Sequence, residues 1–298
     1  MKIIISGASG FVGTALSSAL RSRGDTVVQL VRRQPADPAT EIRWQPAEGE
    51  LDPDAISGAD VVINLNGRSI SDGRWTDAVK SQLRSSRLES TGTLVRAIGR
   101  AAAPPSLLVS ASATGYYGDR GDEVLDETAA GGEGFLADLA ADWETAAEQA
   151  RSDRTRVVEI RLGMVLGKDG GALDRMLTPF KLGLGGPIGA GDQWWPWIAM
   201  ADVVGAVEHI IGRDDIDGPV NLVGPQPVTS RDFARALGGY LGRPAFLPAP
   251  AFAVKAALGE MAEALLLAST NVAPKALEES GYRFRAPTVA EAFRLELG

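Results

Sequence analysis

The stretch that most restricts the fold is the first thirteen residues, MKIIISGASGFVG. Lys2–Ser6 (KIIIS) is an apolar run of the length of one buried strand, and it breaks into Gly7, Gly10 and Gly13. ALSSALRSRG follows, where Leu16, Leu20 and small residues read as helix. A glycine turn between a strand and a helix is the setting in which such a motif holds a dinucleotide. One glycine permits the tight turn, one admits the pyrophosphate against the backbone, and one lets helix pack on strand. The free N–H groups and the positive end of the helix dipole then attract phosphate. The spacing, Gly-x-x-Gly-x-x-Gly, has a longer first gap than the generic fingerprint. A bare turn with no ligand is the competing reading.

Thr26–Val31 (TVVQLV) predicts a second strand, which ends in Arg32 and Arg33. At this strand end a dinucleotide fold meets the adenosine ribose, and an acidic residue there accepts from the 2′-hydroxyl. Two arginines stand there instead, and guanidinium forks suit a 2′-phosphate, so NADP(H) is expected over NAD(H). An ordinary solvated arginine pair is the alternative. Glu41–Trp44 predicts a short third strand and Asp60–Leu65 (DVVINL) a fourth, followed by Asn66-Gly67-Arg68 where a strand end would line the cofactor crevice. Residues 75–99 predict a long helix with Leu83, Leu88, Leu94, Val95 and Ile98 as its buried stripe. Lys80, Arg84 and Arg87 share one face of it, either as a solvated charge run or, for Arg87 above all, to grip an anionic group.

Ser106–Ser110 (SLLVS) predicts a fifth strand ending in SASATGYYG, a run of small residues with Tyr116 and Tyr117. Residues 135–150 predict a helix and Thr155–Arg161 a sixth strand, leading into LGMVLG. Strands alternating with helices of these lengths mean a parallel sheet covered on both faces. After Gly167 the texture becomes glycine-rich and closes on Trp194, Trp195 and Trp197, read as a loop without regular sheet that walls a substrate pocket or makes a lobe contact. Asp202–Gly212 returns to helix, Pro219–Leu222 to strand, and Thr229 or Ser230 caps a further helix.

Composition removes several classes of chemistry. The net charge of −8 leaves no basic excess for nucleic acid or an anionic membrane. There is no cysteine, which excludes disulfides, thiol nucleophiles and thiolate metal sites together. The single histidine, His209, sits among apolar residues of a predicted helix and is expected to be structural, so a Ser-His-Asp triad or a histidine metal site is hard to build. No metal site is expected. The longest apolar stretch, around 251–267, is cut by Lys255, Glu260 and Glu263, so no membrane span is expected and a cytoplasmic location is.

GASGFVG, DVVINLNG, SASATGYYG, RLGMVLG and PVTSRDFARAL together resemble the extended, atypical short-chain dehydrogenase/reductases of the NAD-dependent epimerase/dehydratase family. More narrowly the chain resembles epimerase-family proteins of the SDR39U1/YfcH type, and its tail resembles that subgroup's uncharacterised C-terminal domain. The resemblance implies an α/β fold: a Rossmann-like doubly wound parallel sheet with a smaller C-terminal substrate-binding lobe. Residues 1–165 and 200–224 would form the NADP-binding domain, and 166–199 with 225–298 the lobe. It further implies that Gly7, Ser9, Gly10, Phe11, Val12 and Gly13 hold the pyrophosphate and that Arg32 and Arg33 hold the 2′-phosphate. Leu65, Asn66, Gly67, Arg87 and Met164 complete the expected cofactor site, and Ser112 falls at the family's active-site serine.

Two departures stand out. The family's catalytic tyrosine and the lysine four residues on are replaced by Leu136 and Ala140, and the Trp197-Ile198-Ala199 run lacks a histidine that relatives often show. The usual chemistry needs a phenol whose pKa is lowered by a nearby cation, which leucine cannot supply. The expectation is therefore an NADP(H)-dependent oxidoreductase or epimerase acting on an unidentified carbonyl or nucleotide-sugar substrate. Ser112 would bind the substrate oxygen, and Tyr116 or Tyr117 would serve as acid/base. A non-catalytic NADP-binding sensor is the rival reading. The expected partner is a small molecule, with a homodimer as the one assembly considered.

Overall fold

The computed structural model describes residues 1–71 and 73–298. Its centre is a seven-stranded sheet of β1 (Lys2–Ser6), β2 (Thr26–Val31), β3 (Glu41–Arg43), β4 (Val61–Asn64), β5 (Leu107–Ala113), β6 (Arg156–Leu162) and β7 (Gly218–Leu222). The strand order is β7-β6-β5-β4-β1-β2-β3, and every neighbouring pair is parallel. Strand order reverses between β1 and β4, which opens the crevice of a doubly wound sheet beyond their carboxyl ends.

The apolar run of β1 follows from burial on both sides. Ile3 and Ile5 enter one core with Leu16 and Leu20 of α1 (Phe11–Ser22), while Ile4 enters the other with Leu94 and Ile98 of α2 (Asp77–Arg100). Strands covered on both faces carry continuous hydrophobic sequence rather than alternation. The remaining main helices are α3 (Phe135–Glu148), α4 (Gly171–Lys181), α5 (Met200–Ile211), α6 (Ser230–Leu241), α7 (Ala251–Leu258) and α8 (Val289–Leu297). Val203, Ala206, Val207 and Ile210 of α5 pack beside α1 in the first core.

The glycine-rich segment departs from its expected lack of sheet. Trp197–Ala199 pairs in parallel with Met164–Leu166, and Trp194–Trp195 pairs antiparallel with Val228–Thr229. Glycines make room for this: a Cβ on Gly224 would lie 2.8 Å from the Trp197 ring, and one on Gly163 2.8 Å from the Pro196 carbonyl. Trp195 and Trp197 are buried with Phe233, Leu237, Val289 and Phe293 as the core of a smaller lobe, and half-buried Trp194 donates to Asp122. The lobe also docks on the sheet domain near the crevice, where Met261, Leu258 and Leu265 cluster with Trp75, Leu83, Phe135 and Leu136. Lys80 pairs with Glu260 there, and Arg84 pairs with Asp142 of α3, so the charged face of α2 is largely neutralised rather than a solvated run. Buried Asp202 at the start of α5 ties down the tail, accepting from Tyr282 Oη at 3.0 Å and from the N–H groups of Arg285 and Ala286 at 2.7 and 3.0 Å. His209 is structural, with Nε2 3.0 Å from Ser280 Oγ.

Candidate active site

The glycine turn has the shape of a cradle. Gly7 takes φ +73°, a left-handed conformation that side chains disfavour, and a Cβ there would lie 2.7 Å from the Leu65 carbonyl carbon. A Cβ on Gly13 would stand on the Gly7 carbonyl oxygen and 2.8 Å from Ala8 Cα, so only glycine allows α1 this close to the turn. Gly10 caps α1 without any side-chain acceptor, so protein side chains leave the first-turn N–H groups of α1 free for an anion. Ser9 and Gly10 are exposed, while Phe11 and Val12 are half-buried. The Phe11 ring lies against Gly167, Gly170 and Gly171, so its side chain packs on the lobe's first loop. Beneath the turn, Ser6 Oγ donates to Asn64 Oδ1 at 2.7 Å, Asn64 Nδ2 donates to Thr91 Oγ1 at 2.8 Å, and Trp143 Nε1 donates to the same oxygen at 2.9 Å. These bonds join β1, β4, α2 and α3 into one floor.

The two arginines after β2 diverge. Arg32 is exposed and has no ion-pair partner among the described residues. Arg33 faces Glu41 of β3 with both terminal nitrogens, at 2.8 and 2.5 Å, and this pair holds the Glu41 carboxyl down at about 2. Arg33 would therefore have to release Glu41 to meet a 2′-phosphate, whereas Arg32 would not. Arg87 is 9% exposed and lies under Gly67, donating to the carbonyls of Arg68 at 3.1 Å and Leu83 at 3.0 Å. Its guanidinium lies 5.0 Å from the centre of the Trp143 ring, and burial lowers its pKa to about 10. No carboxylate pairs with it among the described residues, so it is a buried cation beside the loop of Leu65, Asn66 and Gly67. Met164 is half-buried and packs on the lobe core just beyond β6.

β5 runs to Ala113, farther than its apolar sequence implies, and this carries Ser112 inside the strand. Ser112 Oγ donates to Glu144 Oε1 at 2.5 Å. Arg161, paired in register with Ser112, grips the same carboxylate with Nε at 2.8 Å and Nη2 at 2.8 Å. Its remaining fork reaches Tyr117 Oη at 2.9 Å, and the Tyr116 ring lies 3.6 Å from the guanidinium carbon. Tyr117 is fully buried, donates to Asn221 Oδ1 at 2.7 Å, and is pushed up to about 12 by desolvation. Its proton is thus held in the interior and is harder to remove than a free phenol's, which counts against Tyr117 as the expected acid/base. Tyr116 is half-buried and stacks on Arg161. Leu136 packs on Gly115, and Ala140 is buried, at the positions where the family places tyrosine and lysine.

Residue-by-residue reading missed Glu144 and Arg161. A signal for Glu144 was present: Leu136, Ala140 and Glu144 follow at i, i+4 and i+8, so the acid shares one face of α3 with the two positions where the resemblance expects tyrosine and lysine. Glu159, also missed, lies on β6 two residues before Arg161, where burial foremost, then the charges of Glu148 and Glu144, push its carboxyl up to about 8. Among the described residues no cluster of carboxylates or histidine could hold a metal, and no helix is long and apolar enough to cross a membrane.

The sequence profile of the NAD dependent epimerase/dehydratase family matches residues 3–223. The chain belongs to that family. A second profile, a domain of unknown function (DUF1731), matches residues 249–295. Among curated relatives, the epimerase family protein MT2273 of Mycobacterium tuberculosis is 44% identical over 97% of this chain and 95% of its own length. The epimerase family protein SDR39U1 of Homo sapiens is 37% identical over 99% of both chains. The crystal structure of human SDR39U1 (isoform 2) with NADPH superposes with a TM-score of 0.92 at 36% identity, covering 99% of each chain.

Proposed function

We propose that this family member is an NADP(H)-dependent oxidoreductase or epimerase whose proton-transfer group is Ser112 backed by Glu144. The observation that carries the reading is the Ser112–Glu144–Arg161 constellation, placed at the end of β5 in the sheet whose β1 end carries a glycine cradle. The cradle fits the cofactor: Gly7 and Gly13 admit no side chain, and the start of α1 presents uncapped N–H groups. The turn from Gly7 through Ser9, Gly10, Phe11 and Val12 to Gly13 would hold the pyrophosphate, and Arg32 the 2′-phosphate. Leu65, Asn66, Gly67 and Met164 would line the way to the nicotinamide, with Arg87 balancing negative charge. The complex of human SDR39U1 with NADPH supports this assignment. When bound, the nicotinamide donates or accepts a hydride.

The chain supplies the proton. A substrate hydroxyl on Ser112 passes its proton to Oγ as Ser112 passes its own to the Glu144 carboxylate, and the reverse sequence protonates an alkoxide. Arg161 fixes both carboxylate oxygens, so the acceptor is oriented before substrate arrives. Burial of Ser112 keeps the transfer away from bulk water. The test is a screen of carbonyl compounds and nucleotide sugars that follows NADPH absorbance. With a substrate in hand, Ser112→Ala and Glu144→Gln are each expected to lower kcat on the order of 100-fold without changing the NADPH dissociation constant. Full activity in both variants would overturn the assignment. Leu136 and Ala140 favour a second reading, a non-catalytic NADP-binding sensor, which predicts tight NADPH binding and no turnover of any substrate class.

A further inference from the structure

We propose that the lobe carries a second ligand site, a groove for a phosphorylated aromatic molecule of the nucleotide class. A cavity of about 440 Å³ is lined by Pro187, Arg231, Arg235, Gly239, Arg243, Ala245 and Phe246. The cavity is an open groove whose arginines and Phe246 are exposed. Helix geometry assembles one wall: Arg231, Arg235 and Gly239 follow at i, i+4 and i+8 of α6 and share a face, with glycine leaving the far end open. Gly242 ends α6 in the left-handed conformation, at φ +62°, and turns the chain back along the helix. The Arg243 N–H then donates to the Gly238 carbonyl at 2.9 Å, which brings Arg243, Ala245 and Phe246 to the groove.

Charge and shape together select the ligand. Three guanidinium groups line the groove and no carboxylate does, in a chain whose net charge is −8. Arg231 donates to the Ala190 carbonyl rather than to an acid. Arg235 meets Asp232 at 3.0 Å, but both side chains are exposed, so the pair is weak and exchanges readily for a phosphate. Arg243 is exposed and has no carboxylate partner among the described residues. Forked guanidinium groups match phosphate oxygens two at a time. Phe246, 73% exposed on the same groove, is an aromatic face left in water, where a flat base can stack. None of these residues belongs to the glycine turn or to the Ser112 group, so the site stands apart from the reading of the crevice.

The test is calorimetric titration with ADP and with UDP, each with and without saturating NADPH. The expected result is one nucleotide per chain in the presence of NADPH, with affinity falling as salt rises. Arg235→Ala combined with Arg243→Ala is expected to weaken that binding at least about ten-fold, and Phe246→Ala about three-fold, with NADPH affinity unchanged in all variants. Absence of binding by both nucleotides to the NADPH-loaded protein would overturn the site, as would binding that the double arginine variant leaves intact. Inorganic pyrophosphate binding as tightly as ADP, with Phe246→Ala without effect, would overturn the aromatic half of the assignment.

Discussion

Single side chains decide what the crevice can do. Tyr117 was attractive from its place after a strand, yet its hydroxyl meets Asn221, 104 residues away in sequence, and the Arg161 fork. Tyr117→Phe is expected to cost about 1–3 kcal/mol of stability, read as a lower melting temperature, while leaving NADPH affinity unchanged. A variant as stable as the parent would show that the buried hydroxyl contributes nothing. Glu159 makes a second case. Its carboxyl is pushed up to about 8, above its unfolded value, so the folded chain holds this proton more tightly and the associated stability is lost as pH rises toward about 8. Glu159→Gln is expected to flatten the fall in melting temperature between about pH 5 and about pH 8, whereas the same slope in both proteins would contradict it. Neither burial was legible in the sequence, because both depend on what α3 and distant strands bring opposite the residue. The partner of Arg33 was hidden for the same reason: Glu41, eight residues on, meets its fork only because β3 pairs beside β2.

At the scale of elements the sequence was far more legible. KIIIS followed by three glycines specified β1, the turn and α1, because an apolar run, positive φ and close helix approach each leave a compositional mark. Gly13→Ala is expected to destabilise the fold by a few kcal/mol and to weaken NADPH binding at least about 100-fold, since the new methyl has no room against Gly7. Unaltered melting and affinity would remove the cradle from the account. β5 was read too short because Ala111, Ser112 and Ala113 lack the bulk that marks strands, although they pair with β6 throughout. The tryptophan segment was misread in the opposite sense, its glycines hiding two short strands whose backbones need the space. The stripe of Leu136, Ala140 and Glu144 joins the two scales: one face of α3 carries leucine and alanine ahead of an acid that meets Ser112.

Contacts that couple the two parts include the Asp202 hub, the Val124–Leu125 pairing with Asn271–Val272, and the apolar cluster of Leu258, Met261 and Leu265 over α2 and α3. The lobe is therefore fixed beside the crevice, and its position follows from residues spread across the chain rather than from any local signal. What the fold then presents is a glycine turn that admits no side chain, an arginine after β2 with no ion-pair partner among the described residues, and a clamped serine–glutamate pair at the end of β5. Calorimetric titration with NADPH and, separately, NADH tests that arrangement most directly, carried out on the parent and on Arg32→Ala. The account predicts NADPH binding at least about ten-fold tighter than NADH, and a preference that largely disappears in Arg32→Ala. Equal affinity for the two cofactors in the parent, or no binding of either, would contradict it.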